Sequence, residues 1–193
     1  LKHSAQTPLC AEQLYESAKK TLPKNIFNYL HLNHKDSLKI VSDKRIGFVS
    51  FTGSVNAGYE VQKASINKFI SVALELGGKD PAYVRHDADL EKSVENLVDG
   101  SFFNSGQSCC GIERIYVDKK IYNSFLELFI DKTYEYKLGN PLNKDTNLGP
   151  VVKLSAAKFI KDQINLAVKK GAKMMIDKSK FNYPKEHENY MIP

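Results

Sequence analysis

Two side chains in the 193-residue sequence are the strongest candidates for covalent chemistry, Cys109 and Glu75. Cys109 follows the glycine-containing segment 104–108, and such a turn can offer backbone N–H groups to a thiolate and to a developing oxyanion. The default role of a lone cysteine is structural and buried, and we expect the neighbouring Cys110 to have that role. Glu75 interrupts an apolar run. Burial of a carboxylate in such a run lowers stability unless the carboxylate is paired or has a catalytic role, so Glu75 is a candidate general base. The alternative for Glu75 is a strand end that points to solvent.

The turn Phe51-Thr52-Gly53-Ser54 is a candidate phosphate-binding element. Its glycine allows a ligand to approach the backbone closely, and Ser54 supplies a hydroxyl at the start of a predicted helix. The motif is weak on its own, because strand-to-helix turns of small residues are often only turns. In open α/β sheets, however, ligands bind beyond the carboxyl ends of the strands, where this turn would lie.

Helical and strand patterns alternate along the chain, which is typical of an α/β protein with a mostly parallel sheet. One predicted strand, residues 45–51, is apolar enough to be buried on both faces. Further strands are predicted at residues 26–32, 71–76, 112–117 and 173–176. Helices are predicted after Thr7-Pro8, from Ser54, after an N-cap at Asp87 with an apolar stripe of Leu90, Val94, Leu97 and Val98, and around residues 121–129 and 156–167, where Gly171 ends the last of them.

Composition and charge exclude several classes of protein. A content of 42% hydrophobic and 26% charged residues indicates a globular protein rather than a disordered or fibrous one. The net charge of +6 comes mainly from scattered lysines, which favours a solvated basic surface over nucleic-acid binding. No apolar run approaches the length of about 18 residues that crosses a membrane. Three cysteines, two of them adjacent, are too few for a disulfide framework and indicate a reducing compartment, with the cytoplasm favoured. No metal site is predicted.

Four motifs, in order and at the family's spacing, resemble the aldehyde dehydrogenase superfamily. They are LKHSAQTP (residues 1–8), SFTGSVNAG (50–58), LELGGKDP (74–81) and FFNSGQSCCGIERIYV (102–117). The separation of 34 positions between Glu75 and Cys109 also agrees with the family. One such motif could arise by chance, but four in register are a specific match. The resemblance extends over essentially the whole chain.

The resemblance implies an aldehyde dehydrogenase-like α/β fold, with the second half of a Rossmann-type coenzyme domain in residues 1–77 and the start of the catalytic domain in residues 78–193. It implies oxidation of an aldehyde to a carboxylic acid with NAD or NADP, through a thiohemiacetal and a thioester. Glu75 favours hydrolysis over transfer to coenzyme A, because family members that use coenzyme A typically lack this glutamate. The family's functional residues correspond to the nucleophile Cys109, the general base Glu75, the pyrophosphate turn Thr52, Gly53 and Ser54 with Gly58 behind it, the ribose-binding Lys2, and Leu76, whose carbonyl meets the nicotinamide amide.

The sequence departs from the family pattern at two places near the expected cofactor site. Ala5 stands where the family usually has a glutamate that binds the ribose hydroxyls, which predicts tolerance of NADP. Leu32-Asn33-His34 replaces the glycines that commonly follow the predicted strand 26–32. Family members are more than twice as long, so we expect this chain to be an internal fragment of a homodimeric or homotetrameric enzyme, inactive and poorly stable alone. The alternative is a non-catalytic dinucleotide-binding or structural relative.

Overall fold

The computed structural model describes residues 1–193 and divides them into two compact units, Leu1–Gly77 and Gly78–Pro193. Each unit contains a two-stranded parallel sheet, so the predicted α/β class is confirmed. The first unit contains α1 (Leu9–Lys19), α2 (His34–Ser42), β1 (Phe48–Thr52), α3 (Val55–Ala64) and β2 (Ser71–Glu75). The second contains β3 (Asp80–Val84), α4 (Leu90–Phe102), β4 (Ile112–Val117), α5 (Tyr122–Tyr134) and α6 (Leu154–Lys169), with short 3-10 turns at Phe103–Gly106, Lys178–Lys180 and Lys185–His187. No helix has both the length and the apolar character needed to cross a membrane.

In the first unit, helix α3 connects β1 to β2 and packs on one face of their sheet. Val61 of α3 is buried, and Gly58 lies so close to Leu76 that a Cβ atom would sit 2.8 Å from its side chain. Because the helix covers only one face, burial alternates along both strands. The expectation that strand 45–51 is buried on both faces is therefore wrong: Phe51 is half-buried and Phe48 is 59% exposed.

In the second unit, helices α4 and α5 pack together and contribute most of a small apolar core with β3. The fully buried members of this core are Val84, Val94, Val98 and Phe125, which confirms the helical stripe predicted on α4. The N-cap of α4 lies two residues later than predicted, because it is the side chain of Asp89 that accepts the N-cap hydrogen bond, from Lys92 N–H. Asp87 instead pairs with Arg85.

Two predicted strands are absent, at residues 26–32 and 173–176. A strand requires a neighbouring strand that pairs with its backbone, whereas the backbone of the first of these segments makes long-range bonds only to the single residue Leu1: Leu30 N–H donates to the Leu1 carbonyl, and the Leu1 amino group donates to the Asn28 carbonyl. Conversely, the structure contains a strand, β3, that was not predicted from its sequence DPAYV. Its pairing with β4 includes a register shift between Asp80 and Pro81, and Lys79 Nζ lies 2.7 Å from Glu113 Oε2 beside it.

Candidate active site

The carboxyl ends of β1 and β2 bring the candidate phosphate turn and the candidate base to one edge of the first unit's sheet. Thr52 and Glu75 are paired in the parallel register, and Gly53 N–H donates to the Glu75 carbonyl at 3.0 Å. Ser54 is the N-cap of α3, with its hydroxyl accepting from Ala57 N–H, as the sequence predicted. This edge is where α/β sheets bind ligands, and the helix N-terminus at the turn favours an anion.

The side chain of Glu75 does not have the buried position that the apolar run suggested. Val72 and Leu74 are half-buried on the α3 side of β2, while Glu75 belongs to the exposed face of the strand. Alternation along a strand places neighbouring side chains on opposite faces, so an apolar run does not by itself bury every residue within it. Within its own unit, Glu75 is thus exposed at the edge that also carries Thr52.

The ring of Phe51 lies close to Gly53 in this turn. A Cβ atom at position 53 would lie 2.6 Å from that ring, so a larger residue there would require the ring to move. Lys2 belongs to the same unit and is half-buried, in a segment that the hydrogen bond between Leu30 N–H and the Leu1 carbonyl holds in place.

The candidate nucleophile lies in a tight turn in the second unit, which we call the cysteine turn (residues 108–111). Gly111 N–H donates to the Ser108 carbonyl at 3.3 Å, which leaves Cys109 and Cys110 at the two central positions. Both thiols are free and exposed. The expectation that Cys110 is a buried structural residue is therefore wrong; its sulfur instead lies 3.2 Å from the hydroxyl of Ser108.

Sequence reasoning did not identify Gly78 as a residue that shapes this site. A Cβ atom at position 78 would lie 2.7 Å from the backbone carbonyl oxygen of Cys109 and 3.0 Å from Asp80 Oδ1. The two adjacent glycines in the LELGGKDP motif indicate a place where another part of the chain can approach the backbone closely, but the sequence does not show which part it is. The segment just after Glu75 thus contacts the backbone of the candidate nucleophile.

We expect Gly78→Ala to destabilise the protein and to displace the cysteine turn. The added methyl group would overlap a backbone carbonyl that cannot rotate away, so the free energy of unfolding should fall by about 1–3 kcal/mol. Gly77→Ala is the matched control, because a Cβ atom there meets nothing within 4 Å. Denaturant unfolding of both variants checks this prediction, and equal midpoints for the two would contradict the close approach.

A polar cavity of about 420 Å³ elsewhere in the second unit offers less chemistry. Burial raises the pKa of the Tyr136 phenol on its wall, and the nearby charge of Asp99 adds to that effect. The cavity contains no candidate nucleophile; its lining comprises Glu95, Asn96, Val98, Asp99, Lys132, Glu135, Tyr136 and Asn147. No group of three or more His, Cys, Asp or Glu side chains in the chain could hold a metal ion.

Comparison with known proteins connects these features to one family. The family model described as "Aldehyde dehydrogenase family" matches residues 1–193, and the chain belongs to that family. The lactaldehyde dehydrogenase of Methanocaldococcus jannaschii is 35% identical over 191 residues, which are 94% of this chain and 41% of that protein. The chain therefore spans less than half the length of the relatives it matches.

Solved structures confirm the aldehyde dehydrogenase-like fold. Betaine aldehyde dehydrogenase from Staphylococcus aureus, in complex with NAD⁺, matches with a TM-score of 0.86 and 31% identity, covering 93% of this chain and 37% of that one. The glyceraldehyde-3-phosphate dehydrogenase GapN of Methanocaldococcus jannaschii, complexed with NADP, matches with a TM-score of 0.84 and 33% identity, covering 91% and 39%.

Proposed function

We propose that this chain is part of a longer NAD(P)-dependent aldehyde dehydrogenase that oxidises an aldehyde to a carboxylic acid. The observation that carries the proposal is an exposed thiol, Cys109, in a tight turn whose backbone is contacted by Gly78, three residues after Glu75. The covalent chain keeps the Cα atoms of Glu75 and Gly78 within about 11 Å of each other. This limit follows from the connectivity of the chain and holds whatever the orientation of the two units.

The two units correspond in this proposal to parts of two domains. Residues 1–77 form the second half of the coenzyme-binding domain, and residues 78–193 form the first part of the catalytic domain. The division of the chain between Gly77 and Gly78 supports this assignment. The family relatives are more than twice as long as this chain, which supports its being part of a larger enzyme.

The features at the edge of the first sheet suit a dinucleotide. The N-terminus of α3 and the Ser54 hydroxyl would hold the pyrophosphate over Gly53 and beside Thr52. Gly58 allows α3 to approach Leu76, whose backbone carbonyl would accept a hydrogen bond from the nicotinamide amide. Lys2 would bind the adenosine ribose. When bound, the cofactor supplies the hydride acceptor.

The chain's own residues would perform the bond-making steps. The Cys109 thiolate adds to the aldehyde carbon, and the Cys109 backbone N–H stabilises the oxyanion of the resulting thiohemiacetal. Loss of hydride from that carbon restores the carbonyl and leaves a thioester on the sulfur. Glu75 then accepts a proton from water, the hydroxide attacks the thioester, and the thiolate leaves as the carboxylic acid is released.

A panel of aldehydes tested with the full-length protein decides between this proposal and a non-catalytic relative. Aldehyde-dependent formation of NADH or NADPH supports the enzyme. Absence of that product with every aldehyde, together with slow alkylation of Cys109 by iodoacetamide, would leave the dinucleotide-binding or structural alternative. Sedimentation of the same protein tests the predicted homodimer or homotetramer.

Ala5 is expected to allow the use of NADP. It is an exposed residue, and it provides no carboxylate that would repel a 2′-phosphate. We predict that kcat/KM with NAD exceeds kcat/KM with NADP by less than about a hundredfold, or about 2.7 kcal/mol. Ala5→Glu should shift the ratio towards NAD by about tenfold or more, since it places a negative charge near the 2′-position. A wild-type preference for NAD above a hundredfold, or an unchanged ratio in the variant, would contradict this prediction.

A further inference from the structure

Three consecutive residues just before the cysteine turn have a left-handed backbone. The φ angles are 52° at Asn104, 58° at Ser105 and 70° at Gly106. Residues with a Cβ atom adopt this conformation rarely, and two such residues in succession are a local strain. Strained backbone persists only where surrounding contacts hold it. We call residues 104–106 the left-handed turn.

The left-handed turn has one side-chain hydrogen bond to a distant part of the chain. The hydroxyl of Ser105 donates to the carbonyl of Gly149 at 3.0 Å, a partner 44 residues further along. The other side-chain bonds are local, because the amides of Asn104 and Gln107 each donate to the other's backbone carbonyl. These local bonds give the turn its shape, whereas the Ser105 bond determines where the turn is held.

The acceptor of that bond lies in a segment that is itself held on both sides. A parallel bridge between Leu138 and Leu148 closes the loop that leads to Gly149. On the other side, Val151 is buried and its N–H donates to the Tyr190 carbonyl at 3.1 Å. The Gly149 carbonyl therefore has a well-defined position, and the hydrogen bond from the Ser105 hydroxyl fixes the left-handed turn relative to it.

We propose that Ser105 is a positioning residue for Cys109. Its bond to Gly149 holds the left-handed turn, and through Gln107 and Ser108 it holds the cysteine turn, so that the thiol and the backbone N–H of Cys109 keep a fixed geometry. Such alignment matters because small displacements of a nucleophile or an oxyanion donor lower catalytic rates steeply. The role rests on the proposed function only in naming Cys109 as the nucleophile.

The test compares Ser105→Ala, Ser105→Gly and Ser101→Ala in the full-length protein. Ser101 is the matched control, because its hydroxyl also donates to a backbone carbonyl, that of Leu97 at 2.7 Å, but within its own helix. Both Ser105 variants should lower kcat for aldehyde oxidation about fivefold, the loss expected from one hydrogen bond. KM for NAD(P)⁺ should stay within about twofold, while amide hydrogen exchange over residues 104–111 should become faster. Ser101→Ala should change none of these quantities.

Several outcomes would overturn the proposal. One is a Ser105→Ala variant with wild-type kcat and wild-type exchange; another is an equal loss in Ser101→Ala. Recovery of kcat in Ser105→Gly would also overturn it, since glycine relieves the backbone strain without restoring the bond. If Ser105→Ala does not fold, Ser105→Gly carries the same comparison, because glycine adopts the left-handed conformation readily. A wild-type protein without aldehyde oxidation would refute the proposed function, whereas the exchange comparison would still test the Ser105 bond.

Discussion

We expect Cys109→Ser to abolish aldehyde oxidation by the full-length protein, with kcat falling at least about a thousandfold. A serine hydroxyl is not ionised near neutral pH and adds to a carbonyl poorly without a base beside it, whereas a thiolate is a strong nucleophile. The measurement is aldehyde-dependent formation of NADH or NADPH under saturating cofactor and aldehyde.

Cys110→Ser is the matched control for this change. It makes the same chemical substitution at the other central position of the same turn, where the sulfur contacts the Ser108 hydroxyl. We expect Cys110→Ser to retain kcat within a few-fold. Equal losses in the two variants, or full activity in Cys109→Ser, would show that Cys109 is not the nucleophile.

Alkylation by iodoacetamide provides a second measurement of the same assignment. The chain contains three free, exposed thiols, so exposure alone predicts similar rates at Cys10, Cys109 and Cys110. An activated nucleophile should be alkylated faster than Cys10, which lies on helix α1 in the other unit. Mass spectrometry of the modified peptides gives both rates from one reaction, with Cys10 as the internal reference.

The second large effect is expected from Glu75→Gln. The amide cannot accept a proton from water, so hydrolysis of the thioester should slow by about 10²–10⁴-fold. The earlier step, hydride loss from the thiohemiacetal, does not need this carboxylate. The first turnover should therefore remain fast, and stopped-flow traces should show a burst of about one equivalent of NAD(P)H per site, followed by a slow steady state.

Glu60→Gln is the matched control, because Glu60 is an exposed glutamate on α3 in the same unit. It should show neither the burst nor the loss of steady-state rate. If Glu75→Gln also loses the first turnover, the carboxylate is needed for hydride loss or for folding, and not for thioester hydrolysis alone. Unchanged steady-state turnover would remove Glu75 from the mechanism.

Local sequence patterns were sufficient for most of the elements around the site. Strands β1, β2 and β4 were predicted from apolar runs that end in turn residues, and α4 from its apolar stripe. Patterns failed where an element depends on a partner: residues 26–32 resemble a strand but have no strand beside them. The short β3 segment contains Asp80 and Pro81, which strands usually lack, and it forms a strand because β4 pairs with it.

The amino-acid sequence by itself indicated the family and the candidate residues, because the motifs that contain Cys109, Glu75 and Gly53 together resemble one family, to which the chain belongs. Only the tertiary structure showed that Glu75 and Cys110 are exposed, that Gly78 contacts the Cys109 carbonyl and that Ser105 is bonded to Gly149. The physical reason is that exposure and contact depend on what packs against a residue. That neighbour comes from a distant part of the chain, and local periodicity contains no information about it.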